Sequence, residues 1–295
     1  RLPYLIAAMV LYLLSIGSKE MGVTLPLVFF IYDALGRLPQ TTSGAPSLSL
    51  REAGRAIRNT IRQHKYFYGA FFLCALCFSI YKIFIYPSSH QEGYYGGSMA
   101  VTFLTVGRIL VHYIKLLFLP VRLVADYSYD AFPLSFSFFE WRTFSSFAAL
   151  LIVFLLLVKM LPRNRWITFG GAWFFVTLLP VCHIIPHHEL LAEHYLYLPS
   201  YGFCLITALL LTPLLTDKRY AAVTASCLFL IITLFSLRTI DRNRDWKDGT
   251  LPNHGLAIYS PTLRFMMFGG LMYFASSVEG SLEALRSVNQ VAHFT

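Results

Sequence analysis

Eight long apolar runs divide this chain and constrain its fold more than any other feature. Each run holds 15 to 21 residues. A bilayer core about 30 Å thick needs about 20 residues in a straight helix, so the runs predict membrane-crossing helices, several of them short. Short or proline-interrupted spans are tolerated where they line a cavity in the protein. The runs cover residues 3–17, 21–35, 66–86, 101–119, 143–161, 166–182, 199–215 and 220–237.

Charged residues are scarce in this chain. They make up 13% of it and hydrophobic residues 56%, whereas soluble domains carry about 25% charged residues. The composition predicts an integral membrane protein, all-α in class and built as a polytopic helix bundle. The net charge of +9 needs no nucleic-acid partner, since basic residues gather on the cytoplasmic loops of membrane proteins.

Basic residues also indicate which loops face the cytoplasm. They occur in the loop from Arg37 to Lys65, at 159–165, and at 218–219. With these three loops on one side, the run 101–119 cannot complete a crossing, so we expect it to lie along the outer interface or to re-enter from that side. The prediction is about seven spans plus this helix, with the turn 186–199 and the C-terminal tail outside.

The first basic loop contains an amphipathic segment at residues 51–65. On a helix its basic residues share one narrow face, while Ile57 and Ile61 share another. This pattern predicts a helix lying on an anionic inner leaflet. The basic residues are Arg51, Arg55, Arg58, Arg62 and Lys65.

The turn before the seventh run carries the densest group of polar residues. It reads PHHELLAEHYLYLPSYG over residues 186–202, and charged side chains beside membrane spans often mark a pathway or a reacting site. Glu189 and Glu193 are four residues apart, which on a helix places both on one face. The alternative interpretation is a solvated interhelical loop with a polar rim.

The run 101–119 carries a stripe of cationic residues. Arg108, His112 and Lys115 fall at helical spacing. At the outer membrane face such a stripe suits a phosphate group, which arginine can bind through two N–H groups. The alternative is that these side chains extend to lipid headgroups. We expect the stripe and the turn 186–199 to meet around one lipid-accessible hollow.

The tail contains two helix-length segments, 262–276 and 279–293. Gly270 and Tyr273 match the small and aromatic positions of the first helix of a tetratricopeptide (TPR) repeat. We therefore predict a polytopic membrane domain at 1–240 and a TPR-like helical hairpin at 241–295 on the extracytoplasmic side. About three repeats are needed for stability, so the hairpin is expected to be followed by further repeats or to pack on a protein partner.

Five segments in order resemble the transmembrane-and-TPR-containing O-mannosyltransferase-like proteins and their bacterial relatives, which are members of the GT-C glycosyltransferase superfamily. They cover nearly the whole chain in order and spacing. The segments are SKEMGVTLPLVFFIYD (18–33), LPVRLVADYSYDAFP (119–133), LAEHYLYLPSYGF (191–203), RNRDW (242–246) and the TPR-like pair that follows.

The resemblance implies a membrane glycosyltransferase that moves a sugar from a polyprenyl-phosphate donor to a protein or glycan acceptor, as in O-glycosylation. Transfer would occur on the extracytoplasmic side of a bacterial inner membrane or of the endoplasmic reticulum. The family places its principal catalytic Asp in a first external loop, and this chain begins after that point. We therefore expect an N-terminal part to precede it. The alternative is a non-catalytic membrane subunit or scaffold that docks a protein partner through its TPR-like tail.

Sugar transfer needs a carboxylate that accepts the proton of the acceptor hydroxyl and cations that hold the departing phosphate. The candidate carboxylates are Glu20, Asp126, Glu189 and Glu193. The candidate ligands of the lipid phosphate are Arg108, His112, Lys115 and His194, the last of which stands where many relatives carry arginine.

Two aromatic residues complete the expected site. Tyr195 and Tyr197 could stack on the sugar or the acceptor, with the alternative that they are ordinary interface aromatics. No metal ligand is assigned. A Mg²⁺ or Mn²⁺ ion bound by Glu189, Glu193 and a histidine stays an open alternative, because hard cations favour carboxylates.

Overall fold

The computed structural model describes residues 2–38, 50–85, 93–120, 132–186 and 189–247. Within these ranges the chain is helical and forms no β-strand, which confirms the all-α class. Each predicted apolar run coincides with an α-helix. The helices are α1 (Leu2–Ser18), α2 (Leu25–Gly36), α3 (Leu50–Ile80), α4 (Met99–Phe118), α5 (Trp141–Met160), α6 (Arg165–Leu178), α7 (Tyr197–Thr216) and α8 (Ala221–Lys247).

Five helical segments in the described ranges are long and apolar enough to cross a membrane, so the chain is an integral membrane protein. The count of about seven spans stays a prediction, because α1 and α6 are shorter apolar helices and the 12 residues of α2 rise only about 18 Å. The five segments are Arg51–Phe84, Met99–Phe118, Trp141–Met160, Glu193–Thr216 and Ala221–Ile240.

Helices α4 and α5 run in the same direction. The ring of Phe103 near the start of α4 lies 5.8 Å from that of Phe147 near the start of α5, and Ile114 and Val153, further along, line one cavity. The chain between the helices must therefore return to the end at which α4 began. Its described part does so beside α4, since the Ser135 N–H donates to Thr105 Oγ1 at 3.0 Å.

The expectation that α4 lies along the outer interface or re-enters from that side stays a prediction. The helix is long and apolar enough to cross a membrane, so it need not lie flat on the outer interface. Two parallel neighbours, α4 and α5, then both begin at the same end of the bundle.

Helices α6 and α7 make the closest helix–helix approach among the described residues. A Cβ atom added at Gly202 would lie 2.2 Å from the carbonyl oxygen of Gly170, so the two backbones touch directly. The Trp173 indole N–H donates to the Leu198 carbonyl at 2.7 Å on the same interface. Helix α6 begins at Asn164, whose side chain accepts bonds from the N–H groups of Trp166 and Ile167, a standard N-cap.

Helices α2, α6 and α7 each link two opposite ends of the bundle. We call the end with Arg37 and Arg165 the basic end; the turns before α6 and after α7 lie there. Arg165 Nη1 donates to the Gly36 carbonyl at 3.1 Å, where the C-terminal carbonyls of α2 favour a cation. The opposite end, reached by the start of α2 and by the turn between α6 and α7, is called the carboxylate end for Glu20, Glu189 and Glu193.

The predicted boundary at residue 240 falls inside a helix. Helix α8 continues past it to Lys247. The TPR-like segments 262–276 and 279–293 lie outside the described residues, and the hairpin stays a prediction.

Candidate functional site

The turn between α6 and α7 is held by His183, a residue that sequence reasoning missed. Its φ of 54° is in the left-handed region, which is uncommon for a residue other than glycine. The ring is 3% exposed, and its Nε2 lies 3.2 Å from the Leu190 carbonyl oxygen. The ring also packs edge-on against Tyr95 at 5.4 Å. The buried imidazole therefore links the first part of the turn to Leu190, the residue next to Glu189.

Tyr113 of α4 fastens the turn to the bundle. Its hydroxyl donates to the Ala192 carbonyl at 3.0 Å and accepts from the Ala192 N–H at 3.2 Å. Ala192 has an extended backbone, and a 3₁₀ helix, Glu193–Leu196, begins directly after it. One buried hydroxyl therefore satisfies both polar groups of the residue that precedes Glu193.

The prediction that Glu189 and Glu193 share one face of a helix is wrong. Residues 189–192 are not helical, and Glu193 starts the short 3₁₀ helix. The two carboxylates therefore differ in exposure. Glu193 is 2% exposed, whereas the side chain of Glu189 is 39% exposed. Of the two, Glu189 is the one that a ligand can reach.

His194 and Tyr195 both contact the Glu189 carboxylate. His194 Nε2 lies 3.6 Å from Glu189 Oε2, and the Tyr195 hydroxyl donates a hydrogen bond to the same carboxylate. Tyr195 is buried, at 3% exposure, so it positions Glu189 and does not offer an open face to a sugar. Tyr197 is exposed at the start of α7.

Glu20 lies at the same end of the bundle as Glu189 but comes from the N-terminal half of the chain. It begins a 3₁₀ helix, Glu20–Thr24, between α1 and α2. Its carboxylate lies 3.3 Å from the ammonium nitrogen of Lys82, and its 3₁₀ helix packs against the helical turn Leu179–Val181 that follows α6. The structure thus brings together three of the four predicted carboxylates. Asp126, the fourth, lies outside the described residues.

The predicted cationic stripe does not act as one unit. Arg108 Nη1 donates to the Pro133 carbonyl and to Ser135 Oγ, both at 2.8 Å. Its guanidinium lies 5.0 Å from the Phe132 ring, and His112 contacts the same ring at 5.7 Å. Arg108 therefore secures the returning segment after α4. Lys115 is exposed.

Helix α4 meets the turn through Tyr113, whereas Arg108 bonds Pro133 and Ser135. A phenol buried in an apolar run gives no sequence signal that separates it from the many membrane tyrosines. Lys82 was missed for a related reason, since it is a single basic residue near the end of α3. It lies in a π-helical turn, Tyr81–Ile85.

No group of three or more His, Cys, Asp or Glu side chains in the described ranges could hold a metal ion. The divalent-cation alternative gains no support from the residues proposed for it. Carboxylates, a histidine and a lysine remain as the polar groups of the site.

An apolar cavity of about 450 Å³ lies between α4, α5, α6 and α7. Ile114 and Phe174 line it, and both also pack in the buried cluster that contains Tyr113 and Tyr195. The cavity therefore adjoins the apolar cluster on which the turn packs, and from there it extends to Ile167 and Leu211 near the basic end. Further lining residues are Phe118, Leu157, Gly171 and Phe203.

These features define an integral membrane protein, helical throughout its described residues, with a polar group at one end of the bundle and an apolar cavity among its helices. No family model matches the chain, and no solved structure matches it. The chain is similar to several proteins named as protein O-mannosyl-transferases.

Three of these relatives illustrate the similarity. The protein O-mannosyl-transferase F38B6.6 of Caenorhabditis elegans is 30% identical over 152 residues, which cover 51% of this chain and 21% of that protein. Human TMTC3 is 28% identical over 45% of this chain and 15% of its own length. Drosophila melanogaster Tmtc2 is 38% identical over 24% and 8%. The matches therefore span about a fifth or less of these relatives.

Proposed function

We propose that this protein is a membrane glycosyltransferase that moves a sugar from a polyprenyl-phosphate donor to a protein or glycan acceptor. The carboxylate end would face the extracytoplasmic side. The similarity to proteins named as O-mannosyl-transferases and the membrane helices support the general class. The observation that carries the proposal is the group of accessible charged side chains around Glu189 in a bundle that also contains an apolar cavity of about 450 Å³, because such a donor has both a polar head and a long apolar tail.

Glu189 is the proposed general base. It would accept the proton of the acceptor hydroxyl while that oxygen attacks the anomeric carbon and the bond from that carbon to the phosphate oxygen breaks. Its side chain is accessible, and Tyr195 and His194 hold it from two sides. Glu193 is buried and lies next to the residue that Tyr113 fastens. We assign it a positioning role.

Lys82 and His194 are the proposed partners of the departing phosphate. Both side chains are 37% exposed, and both lie beside carboxylates that fix their positions. Arg108 is less suited, since its Nη1 already bonds Pro133 and Ser135. His112 lies against Phe132 in the same region.

The apolar cavity is the proposed site of the polyprenyl tail. It opens among helices that cross the membrane, so a tail could enter sideways from the lipid. Its lining is apolar apart from Thr207. An isoprenoid chain is a better match to such a lining than a sugar or a nucleotide, whose polar groups would lose their hydrogen bonds to water.

The test replaces Glu189 in the complete chain, reconstituted in vesicles. Sugar transfer is measured with radiolabelled polyprenyl-phosphate mannose and a hydroxyl-containing peptide acceptor, and donor binding by photocrosslinking. Glu189→Gln should lower turnover by about 10²–10⁴-fold, as expected for loss of a general base, with crosslinking retained. Glu52→Gln, at the basic end, should leave turnover unchanged.

Unchanged turnover in the Glu189→Gln protein would remove this residue from the mechanism. The non-catalytic subunit stays the alternative prediction. It would be favoured if the wild-type chain neither transferred sugar nor crosslinked to any polyprenyl-phosphate donor.

A further inference from the structure

Helix α3 consists of two parts with different character. His64 has non-helical backbone angles, φ −124° and ψ 24°, inside the continuous element. Residues 65–80 after this break are mostly apolar, whereas residues 50–63 before it are amphipathic. The break separates Lys65 from the other basic residues of the segment. The basic face was predicted to hold five residues and holds only the four arginines.

The amphipathic part presents three distinct faces. Ala56 and Thr60 are buried against the protein, at 5% and 0% exposure. The arginines at 51, 55, 58 and 62 are all exposed and share one face, here called the arginine face. Ile57 and Ile61 are 44% and 50% exposed and form an apolar edge beside it.

Side-chain bonds fix this helix at the basic end. Arg37 Nη1, at the end of α2, donates to Gln63 Oε1 at 2.6 Å. The Tyr68 hydroxyl, just past the break, donates to Asp33 at 2.5 Å. The amphipathic helix is thus attached where α2 and α6 end, at the level where the basic turns of the bundle also lie.

We propose that the arginine face and its isoleucine edge bind anionic phospholipid headgroups of the leaflet at the basic end. Exposed arginines match the negative surface of such a leaflet, each basic residue contributing a factor on the order of five in partition. Ile57 and Ile61 would enter the boundary between headgroups and acyl chains, as in interfacial amphipathic helices. An acidic protein segment would match the arginines but would leave the isoleucine edge exposed.

The first experiment measures which lipids the complete chain retains. The protein is equilibrated in vesicles of equal phosphatidylglycerol and phosphatidylcholine, purified in mild detergent, and its bound lipids are counted by native mass spectrometry. The wild type should retain phosphatidylglycerol preferentially. The triple variant Arg55→Gln, Arg58→Gln, Arg62→Gln should lose this preference several-fold, whereas the same three positions changed to Lys should keep it.

A matched control removes basic residues elsewhere at the basic end. The variant Arg163→Gln, Lys218→Gln, Arg219→Gln should retain most of the preference. An equal loss in both triple variants would overturn the proposal, because the effect would then reflect net charge alone. The proposal would also be overturned if the first triple variant kept the wild-type preference for phosphatidylglycerol. The same holds if that variant lost a co-purified acidic protein while its bound lipids stayed the same.

A second measurement needs no substitution and therefore does not depend on a variant folding. Hydrogen–deuterium exchange of the wild-type chain is compared in nanodiscs with and without phosphatidylglycerol. Residues 50–63 should exchange several-fold more slowly with the anionic lipid, while the α7–α8 turn changes less. Equal exchange of residues 50–63 in the two lipids would contradict the proposal.

Discussion

Tyr113 and Tyr12 are both buried tyrosines on apolar helices, each 3% exposed, but their hydroxyl groups have different surroundings. Tyr113 bonds both backbone groups of Ala192. The Tyr12 hydroxyl has no hydrogen-bond partner among the described residues, and its ring packs against Phe71 at 5.0 Å. The same side chain therefore serves apolar packing in one case and fastens the turn between α6 and α7 in the other.

Tyr113→Phe should destabilise the protein, because it leaves the buried N–H and C=O of Ala192 without their partner. The expected cost is about 1–3 kcal/mol, seen as a lower unfolding temperature in detergent. Tyr12→Phe is the matched control and should be neutral or slightly stabilising. Equal effects of the two substitutions would show that the bonds of Tyr113 to Ala192 contribute nothing of their own.

The location of Glu189 and Glu193 could be predicted from the sequence, but their exposure could not. The sequence identified the turn as the polar centre, and the structure places both residues there with Tyr195 and His194. It could not show which carboxylate is accessible, because exposure depends on the non-helical path of residues 189–192. Arg108 matched the expected residue type but bonds the segment after α4.

At the element scale, glycine determines how closely α6 and α7 approach. Gly170 and Gly202 face each other, and a Cβ at Gly170 would lie 2.7 Å from the Gly202 carbonyl oxygen. Small residues permit such contact between membrane helices. Neither glycine stands out in the sequence, since the pairing depends on which helices become neighbours.

Gly202→Ala should force α6 and α7 apart, because its methyl group would meet the backbone of Gly170. We expect a loss of about 1–3 kcal/mol from overpacking, measured as a lower unfolding temperature. Gly69→Ala on α3 is the control. It has nothing within 4 Å of its Cβ position and should be neutral or stabilising by up to about 1 kcal/mol. A Gly202→Ala protein as stable as the wild type would refute this close contact.

At the scale of the whole molecule, α2 and α6 join the α1–α3 half to the α4–α8 half. Tyr32 of α2 packs against Trp166 and Phe169 of α6 at 5.5 and 5.6 Å. Arg165 adds bonds to the carbonyls at the end of α2. The polar group at the carboxylate end depends on this packing of α2 against α6, since Glu20 and Lys82 come from one half and Glu189 from the other.

Arg165→Gln should weaken the contact between α2 and α6, because the C-terminal carbonyls of α2 lose a charged hydrogen-bond donor. Hydrogen–deuterium exchange in the last turn of α2 should accelerate, and sugar transfer should fall through displacement of Glu20. Arg163→Gln is the control, since Arg163 is exposed two residues earlier and should leave exchange in α2 unaltered. Identical exchange in the two variants would argue against this role for Arg165.

Opposite ends of the bundle should label from opposite sides of the membrane. With Ser18→Cys at the carboxylate end and Lys218→Cys at the basic end, an impermeant maleimide added outside should modify only the first. Cys182 should stay largely unmodified, because burial raises the pKa of its thiol to about 11 and leaves it protonated at neutral pH. Labelling of Lys218→Cys alone would reverse the proposed orientation.

The sequence by itself determined the all-helical membrane class, the position of each helix and the location of the polar turn. These depend on local apolar length and on charge, which can be read along the chain. Tertiary structure alone decided that α4 and α5 run parallel, that Tyr113 holds Ala192, and that Glu20 pairs with Lys82 close to the end of α6. Those contacts join residues far apart in sequence, and they depend on which of the similar apolar helices become neighbours when the bundle packs.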